Sequence, residues 1–397
     1  MAQFAYLFER FPAFSQTFCY REVAELERQG FRPPIFSIRK PENEPAQDWD
    51  ERIVTRLYYL PGEEELAEEV RGAIKKGKLS GDAVAALESW GKRTDFLRLY
   101  QAVYVGLRLR DAGISHVHAH FAGLAARTAF WIEKFFGTHF SFTAHANDIF
   151  APREFEIGLD RLVDLARAIV TETNYAANFL KERFPGRADR IHRIYNGLDL
   201  AQFNRAGFST APPVLIAVGR LIEKKGFADL IRTCGLLKEQ GTVFRCQIIG
   251  DGPLEEQLRR QIEELGLQEH VRLLGPKPQH EIATYLANAT VFVLPSVIDP
   301  QGGMDNLPTV IMEAMATGLP VISTAVGGIP EMVIDNETGL LIRPGEPDVL
   351  ASAIEKLIVD LPLARRLGDN GRKRAEELFS IKKNARDLVE LIDNVAL

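Results

Sequence analysis

Short apolar runs rich in β-branched and aromatic residues alternate with helix-length amphipathic stretches along the first half of the chain: Phe4 to Phe8, Ile35 to Ile38, His116 to Ala119, Phe140 to Ala144, Ile169 to Thr171 and Ile191 to Tyr195. That alternation predicts a parallel sheet wrapped by helices. Between the second and third runs, residues about 62–112 carry helical periodicity with charged faces, broken at Gly77 and at Ser80-Gly81-Asp82, and read as a helical insertion. After a polar, proline-bearing stretch from about Ala206 to Pro213 the pattern restarts with Val214 to Val218, Cys246 to Ile249, Val271 to Leu274, Val291 to Leu294 and Pro320 to Ile322. The two halves share an architecture without a fixed-period repeat. They predict two facing, doubly wound α/β domains, about 1–205 and 206–375, with ligands held at strand C-termini in the cleft between them.

The length of 397 residues fits two cores better than one. Lys and Arg total 48 against 54 Asp and Glu, a net charge of −6, which lacks the positive field of a dedicated nucleic-acid binder. Three cysteines, Cys19, Cys234 and Cys246, form no CxxC or Cys/His pattern, so a reducing cytoplasm is the simplest setting. The N-terminus runs straight into a strand and no stretch reaches the roughly 18 apolar residues of a spanning helix, which argues against secretion and membrane spanning.

Three segments of the second half carry candidate chemistry. The first strand ends in Gly219-Arg220-Leu221, followed by Glu223-Lys224-Lys225-Gly226 and a helix. A glycine turn with Arg220 and Lys225 beside a helix N-terminus suits a diphosphate, although a solvated loop would look the same. The next strand ends in Gly250-Asp251-Gly252-Pro253, which fits either close backbone approach to a ligand or a plain Asp-Gly turn. The strongest signal is Asp305-Asn306-Leu307-Pro308-Thr309, leading through Glu313 to Gly318-Leu319-Pro320 and Gly327-Gly328. Two carboxylates eight residues apart bracket a loop-to-helix transition, so one can address sugar hydroxyls while the other reaches a ribose two turns on.

This block resembles the E-x7-E signature of the family-4 retaining glycosyltransferases of the GT-B fold, with Asp305 in place of the first glutamate. Gly219-Arg220-Leu221 with Lys224-Lys225-Gly226, Gly250 to Pro253, Pro295-Ser296, Glu313 to Pro320 and Asn196-Gly197-Leu198-Asp199 match in the same order. The resemblance implies a GT-B pair of Rossmann-like domains, with a C-terminal helix, 376–397, crossing back onto the first. It implies that Arg220 and Lys225 neutralise a leaving diphosphate, that Glu313 binds ribose, and that Asp305 binds the donor sugar, with Gly219, Gly250, Asp251, Leu274, Asn306, Leu307, Pro308 and Thr309 around the donor. The shorter Asp305 side chain bears on donor choice.

In the first half, the resemblance implies a catalytic His145, in Phe142-Thr143-Ala144-His145, close to the transferred sugar; a cap or packing histidine is the alternative. His116, His118 and His120 alternate on one strand face, a spacing open to a metal. His-Ala-His-Phe, however, resembles an element of the exopolysaccharide branch in which His120 lines the cleft without metal. The first loop, Phe11-Pro12-Ala13-Phe14-Ser15-Gln16-Thr17-Phe18, resembles that of colanic-acid and related transferases. Ser15 reads most simply as a helix N-cap, and Arg10, Phe14, Ser15 and Thr17 as the acceptor side. The expectation is a metal-independent hexosyltransferase without cofactor, moving sugar from a UDP- or GDP-sugar to a glycan, glycolipid or small glycoside, with no nucleic-acid partner. An epimerase or hydrolase of the same fold and a catalytically impaired binder are the rival readings. Basic and apolar residues from Lys92 to Arg110 read as a packed helix with a solvated basic face, the alternative being weak contact with the inner face of the plasma membrane near a lipid-linked acceptor.

Overall fold

The structure, a computed structural model, describes residues 4–45, 47–90, 95–151, 154–207 and 212–396. Among these, seven strands form the first sheet: β1 Phe4–Arg10, β2 Ile35–Arg39, β3 Leu57–Tyr59, β4 His116–His120, β5 His139–Ala144, β6 Ala168–Thr171 and β7 Ile191–Arg193, in the order β3-β2-β1-β4-β5-β6-β7. The second sheet holds β8 Val214–Val218, β9 Arg245–Ile249, β10 Val271–Leu273, β11 Val291–Leu294, β12 Val321–Thr324 and β13 Leu340–Ile342, ordered β10-β9-β8-β11-β12-β13. Every strand pair is parallel. In each sheet the order reverses beside the domain's first strand, β1 or β8, and crevices at strand C-termini there are the ligand sites of such folds.

β3 and β13 escaped the sequence reading. Each is three residues long at a sheet edge, as are β7 and β10, which the sequence did disclose. The expected insertion is present as helices Glu63–Lys75, Gly81–Trp90 and Leu97–Asp111. The last of these buries Leu99, Ala102, Val103, Val105, Leu107 and Leu109, and Arg108 pairs with Glu69 at 2.6 Å while lying over the Tyr104 ring. Its apolar side is spent in the domain core. Lys92 and Arg93, which the membrane reading also used, lie outside the described residues.

Each sheet has its own core, and a third cluster joins the ends of the chain. Ala385, Leu388, Val389 and Ile392 of helix Ile381–Val395 pack with Phe4, Tyr6, Phe8, Val23 and Leu26, so the C-terminal helix covers the first domain. Burial of several large side chains, at roughly 1.5–3 kcal/mol each, anchors this crossing. The domains also touch at the cleft. The Thr173 hydroxyl caps helix Asn174–Arg183 by accepting from Ala176 N at 3.1 Å and donates to Asn306 Oδ1 of the second domain at 2.6 Å. No helix among the described residues is long and apolar enough to cross a membrane.

Candidate active site

The second-domain wall is built from backbone crowding. At Gly250, φ 144°, a Cβ would run into the Gly219 carbonyl oxygen, so the loops after β8 and β9 can touch only as glycines. At Gly226, φ 68°, a Cβ would run into the Pro295 carbonyl oxygen. This contact closes the turn Glu223–Lys225 over the end of β11 and aims Lys225 at Asp305. Lys225 Nζ donates to both Asp305 oxygens at 2.9 Å, and the Ser296 hydroxyl donates to Oδ2 at 2.7 Å. Burial would raise the Asp305 carboxyl, but Lys225, Lys224 and these hydrogen bonds outweigh it and hold the group below the usual carboxylate range. Lys224 crosses to the first domain, donating to Asn147 Oδ1 at 3.0 Å; burial pulls its ammonium down, with Asp305 opposing.

Glu313 lies in helix Thr309–Thr317 and is 2% exposed. Arg21, on the first-domain helix Thr17–Arg28 (α1), reaches across the cleft and donates from Nη2 to Glu313 Oε1 at 2.6 Å and to Gln279 Oε1 at 2.7 Å. Arg21 Nη1, Gln279 Nε2 and Glu313 Oε2 are buried at this junction without protein partners. Each therefore has capacity for a further hydrogen bond.

The first-domain wall is a buried polar chain. His145, at the end of β5, donates from Nδ1 to Glu172 Oε1 at 2.6 Å, and its Nε2 lies 3.4 Å from His120 Nδ1. His120 Nε2 stands 3.1 Å from Glu22 Oε1, which also accepts from Tyr6 Oη at 2.5 Å. Glu172 accepts from Asn196 Nδ2 at 2.7 Å and from Asn306 Nδ2 at 3.5 Å. Burial would lower the His145 imidazole, but Glu172 outweighs it and the group rises; Glu172 is lowered in turn, its burial outweighed by His145. Deeper in β4, His116 bonds Ser141 at 2.8 Å, while His118 bonds Ser141 at 2.8 Å and Thr143 at 3.0 Å. Burial pushes His116 down to about 3 and His118 well down. Hydroxyls of β5 hold both ring nitrogens of His118 and Nε2 of His116, whose Nδ1 is buried without a protein partner, and no group of three or more potential metal ligands occurs among the described residues.

Between the walls lies a cleft of about 410 Å³. A larger cavity of about 1100 Å³ lies behind α1, but its rim charges are largely spent on one another, as in Arg28 with Asp199 and Arg52 with Asp50. The smaller cleft collects the glycine turns, the lysines and both acidic positions. Comparison with known proteins agrees with this geometry. Residues 15–202 match the model described as Glycosyltransferase Family 4, and residues 200–374 match Glycosyl transferases group 1. The chain thus carries a family-4 glycosyltransferase domain followed by a group-1 glycosyl transferase domain, in a GT-B fold. The Escherichia coli K12 protein WcaL, a putative colanic acid biosynthesis glycosyltransferase, is 41% identical over 196 residues, 49% of this chain and 45% of that protein. The amylovoran biosynthesis glycosyltransferase AmsK of Erwinia amylovora is 36% identical over 217 residues, 53% of this chain and 52% of that one. The matches thus span about half the length of these curated relatives. Anabaena HepE, solved with UDP and glucose, superposes with a TM-score of 0.75 at 18% identity over 99% of this chain and 100% of that one, a likeness of fold.

Most of the expected site residues line the cleft: His145, Gly219, Arg220, Lys225, Gly250, Asp251, Asp305, Asn306, Leu307, Pro308, Thr309 and Glu313, with Phe14, Ser15 and Thr17 opposite. Four positions depart from expectation. Leu274 lies behind the lining, its N–H bonded to Ile248 O at 2.9 Å. Arg10 points to Glu44 at 3.5 Å rather than into the cleft. Ser15 does not cap α1; it sits in a 3-10 turn, and the N-cap is Gln16 without a side-chain bond. His120 does not line the cleft: it is 1% exposed, held behind His145 by Glu22 and by Cys19, whose Sγ is 3.5 Å from Nδ1. The sequence reading missed Arg21, Glu22, Glu172 and Lys224. Glu172 carried a usable signal, a carboxylate directly after strand Ala168–Thr171 at the ligand end of a parallel sheet.

Proposed function

We propose that this chain transfers a hexose, with retention of anomeric configuration, from a nucleotide diphosphate sugar to a hydroxyl of a glycan, glycolipid or small glycoside. The observation that carries the reading is the pairing of Lys225 with Asp305 just before helix Thr309–Thr317, which carries Glu313 about one turn in. A bound diphosphate takes over Lys225, and Asp305 is then released to accept hydroxyls of the donor sugar. Arg220 and the positive end of the helix complete the anion site. The ribose hydroxyls meet Glu313 Oε2, the oxygen that Arg21 leaves unpaired.

Retention requires the acceptor to attack from the face the diphosphate leaves. The departing phosphate takes the acceptor's proton, Lys225, Arg220 and the helix N-terminus stabilise its charge, and domain closure excludes water. These cations do the work a metal would do, so the rate is expected to be unchanged by EDTA. The names of WcaL and AmsK point to extracellular polysaccharide synthesis, and HepE was solved with UDP and glucose, which supports a polysaccharide-related acceptor and makes UDP-sugars the first donors to try. A cytoplasmic enzyme with at most a weak, charge-driven membrane contact fits the buried apolar side of helix Leu97–Asp111.

The test is incubation with UDP-, GDP- and ADP-sugars and a set of glycoside acceptors, with proton NMR of the product's anomeric coupling. An α-linked product from an α-donor is expected. An inverted product, or equally fast turnover of donor without acceptor, would replace this reading by an inverting transferase or by a hydrolase or epimerase.

A further inference from the structure

The buried chain on the first-domain wall joins four groups that the sequence holds far apart: Glu22 on α1, His120 at the end of β4, His145 after β5 and Glu172 after β6. Its hydrogen bonds admit few proton arrangements. Glu172 Oε1 at 2.6 Å requires a proton on His145 Nδ1, and Glu22 Oε1 at 3.1 Å requires one on His120 Nε2. That leaves His120 Nδ1 facing inward. It lies 3.5 Å from the Cys19 sulfur and 3.4 Å from His145 Nε2. The thiol stays protonated, since burial and then Glu22 raise it well above its usual range. One proton lies between His120 Nδ1 and His145 Nε2, and the buried Glu172 carboxylate 2.6 Å from His145 favours it on Nε2, which makes that ring an imidazolium with both nitrogens committed.

We infer that Glu172, directly, and Glu22, through His120, are positioning residues that hold His145 as a fixed, non-rotating cation in the wall of the sugar-transfer cleft. Around His145 the carboxyl groups favour the cation, against burial and the neighbouring His118. Asp148, whose side chain accepts from His145 N at 2.9 Å, and Glu172 and Glu22 are carboxyl groups; His118 and His120 lie beneath; Phe18 and Phe121 place their ring centroids 4.9 and 4.2 Å from that of His145. Lys224 of the second domain donates to Asn147, two residues after His145. Glu172 also accepts from Asn306, the residue after Asp305, so the cation is tied to the donor loop of the opposite domain. Its ring nitrogens being occupied, His145 acts on a substrate through its charge rather than by donating or accepting a proton. That charge adds to the field of Lys224 and Lys225 where the leaving diphosphate becomes more negative.

The use made of the cation rests on the proposed transferase reading, but its existence does not, so the test reads the charge directly. The full-length chain is labelled with 15N-histidine and followed by NMR from pH 6 to 9, with His145 assigned by loss of its signals in His145→Gln. Both His145 nitrogens are expected in the protonated range at pH 7.5, and Glu172→Gln is expected to lower the midpoint by at least about one pH unit, with a smaller drop in Glu22→Gln. Once a donor is known, kcat/KM of Glu172→Gln should fall as pH rises through that lowered midpoint, while the native profile stays level there. A native His145 with a single protonated nitrogen at pH 7 overturns the inference, as does a folded Glu172→Gln protein with an unchanged midpoint. If Glu172→Gln fails to fold, the native spectrum and Glu22→Gln decide. Absence of transferase activity with a protonated His145 would sink the function and leave the cation standing.

Discussion

The two walls of the cleft hold charge by different means. On the second domain, Lys224, Lys225 and Asp305 come from loops shaped by glycines, and the Lys225–Asp305 pair faces the cleft, where a ligand can replace one partner. On the first domain, His145, His120, Glu22 and Glu172 come from four separate elements, and their polar atoms are spent on one another. The second-domain wall is arranged to exchange partners with a ligand. The first-domain wall is arranged to keep its partners, which suits a surface that must present a constant field and shape while the donor comes and goes.

The largest expected effect lies on the exchanging wall. Lys225→Ala should reduce kcat roughly 10²–10³-fold, the loss typical of removing one donor to developing charge. Steady-state kinetics check it, and a rise in KM at unchanged kcat would assign Lys225 to ground-state binding instead. Gly226→Ala adds a Cβ against the Pro295 carbonyl at a positive φ. It should destabilise the fold by about 3 kcal/mol, read from denaturant melts; a loss under about 0.5 kcal/mol would mean the turn can shift freely. Arg21→Ala removes the clasp that joins the walls and should weaken donor binding about tenfold, some 1.4 kcal/mol, in a calorimetric titration. Tighter binding would show that Arg21 competes with the ribose for Glu313.

The smallest effects are in pH dependence, and the walls should separate there. His116 and His118 have folded values below the unfolded one, so they stay neutral in the fold and withdraw stability as pH falls below about 6.5, by up to about 1.4 kcal/mol per unit each. His145, with a raised folded value, contributes stability that is complete below about 6.5 and is lost as pH rises through its folded value. Asp305 and Glu172 are lowered, so their contribution is present above their unfolded values and disappears as pH falls through the folded ones. Melting temperatures from pH 4 to 9 should slope down towards acid, less steeply in His116→Asn; identical slopes would remove the strand histidines from the account.

The same contrast explains what the sequence disclosed. Parallel sheets write near-continuous apolar strands, and the second-domain wall writes glycines next to charges, so both were legible in order and position. Three-residue edge strands were legible unevenly: Val271–Leu273 was found and Leu57–Tyr59 was not. The first-domain chain depends on pairings such as Glu22 with His120 and His145 with Glu172, 98 and 27 residues apart, which local spacing cannot reveal. His120 was misplaced for the same reason: alternation gave its sheet face correctly, while its burial behind His145 comes from the packing of α1. Arg21 stands one helical turn after Thr17, on the same face of α1, and that spacing is the trace of it the sequence carried.

The central claim, that the second-domain wall is a nucleotide-sugar site whose partners are exchangeable, is tested most directly by thermal shift with UDP, GDP and ADP and their sugars on the native chain, Lys225→Ala and Glu313→Gln. At least one nucleotide should raise the melting temperature of the native chain, with the shift reduced or abolished in both variants. No shift with any nucleotide, or an equal shift in Glu313→Gln and the native chain, would contradict it.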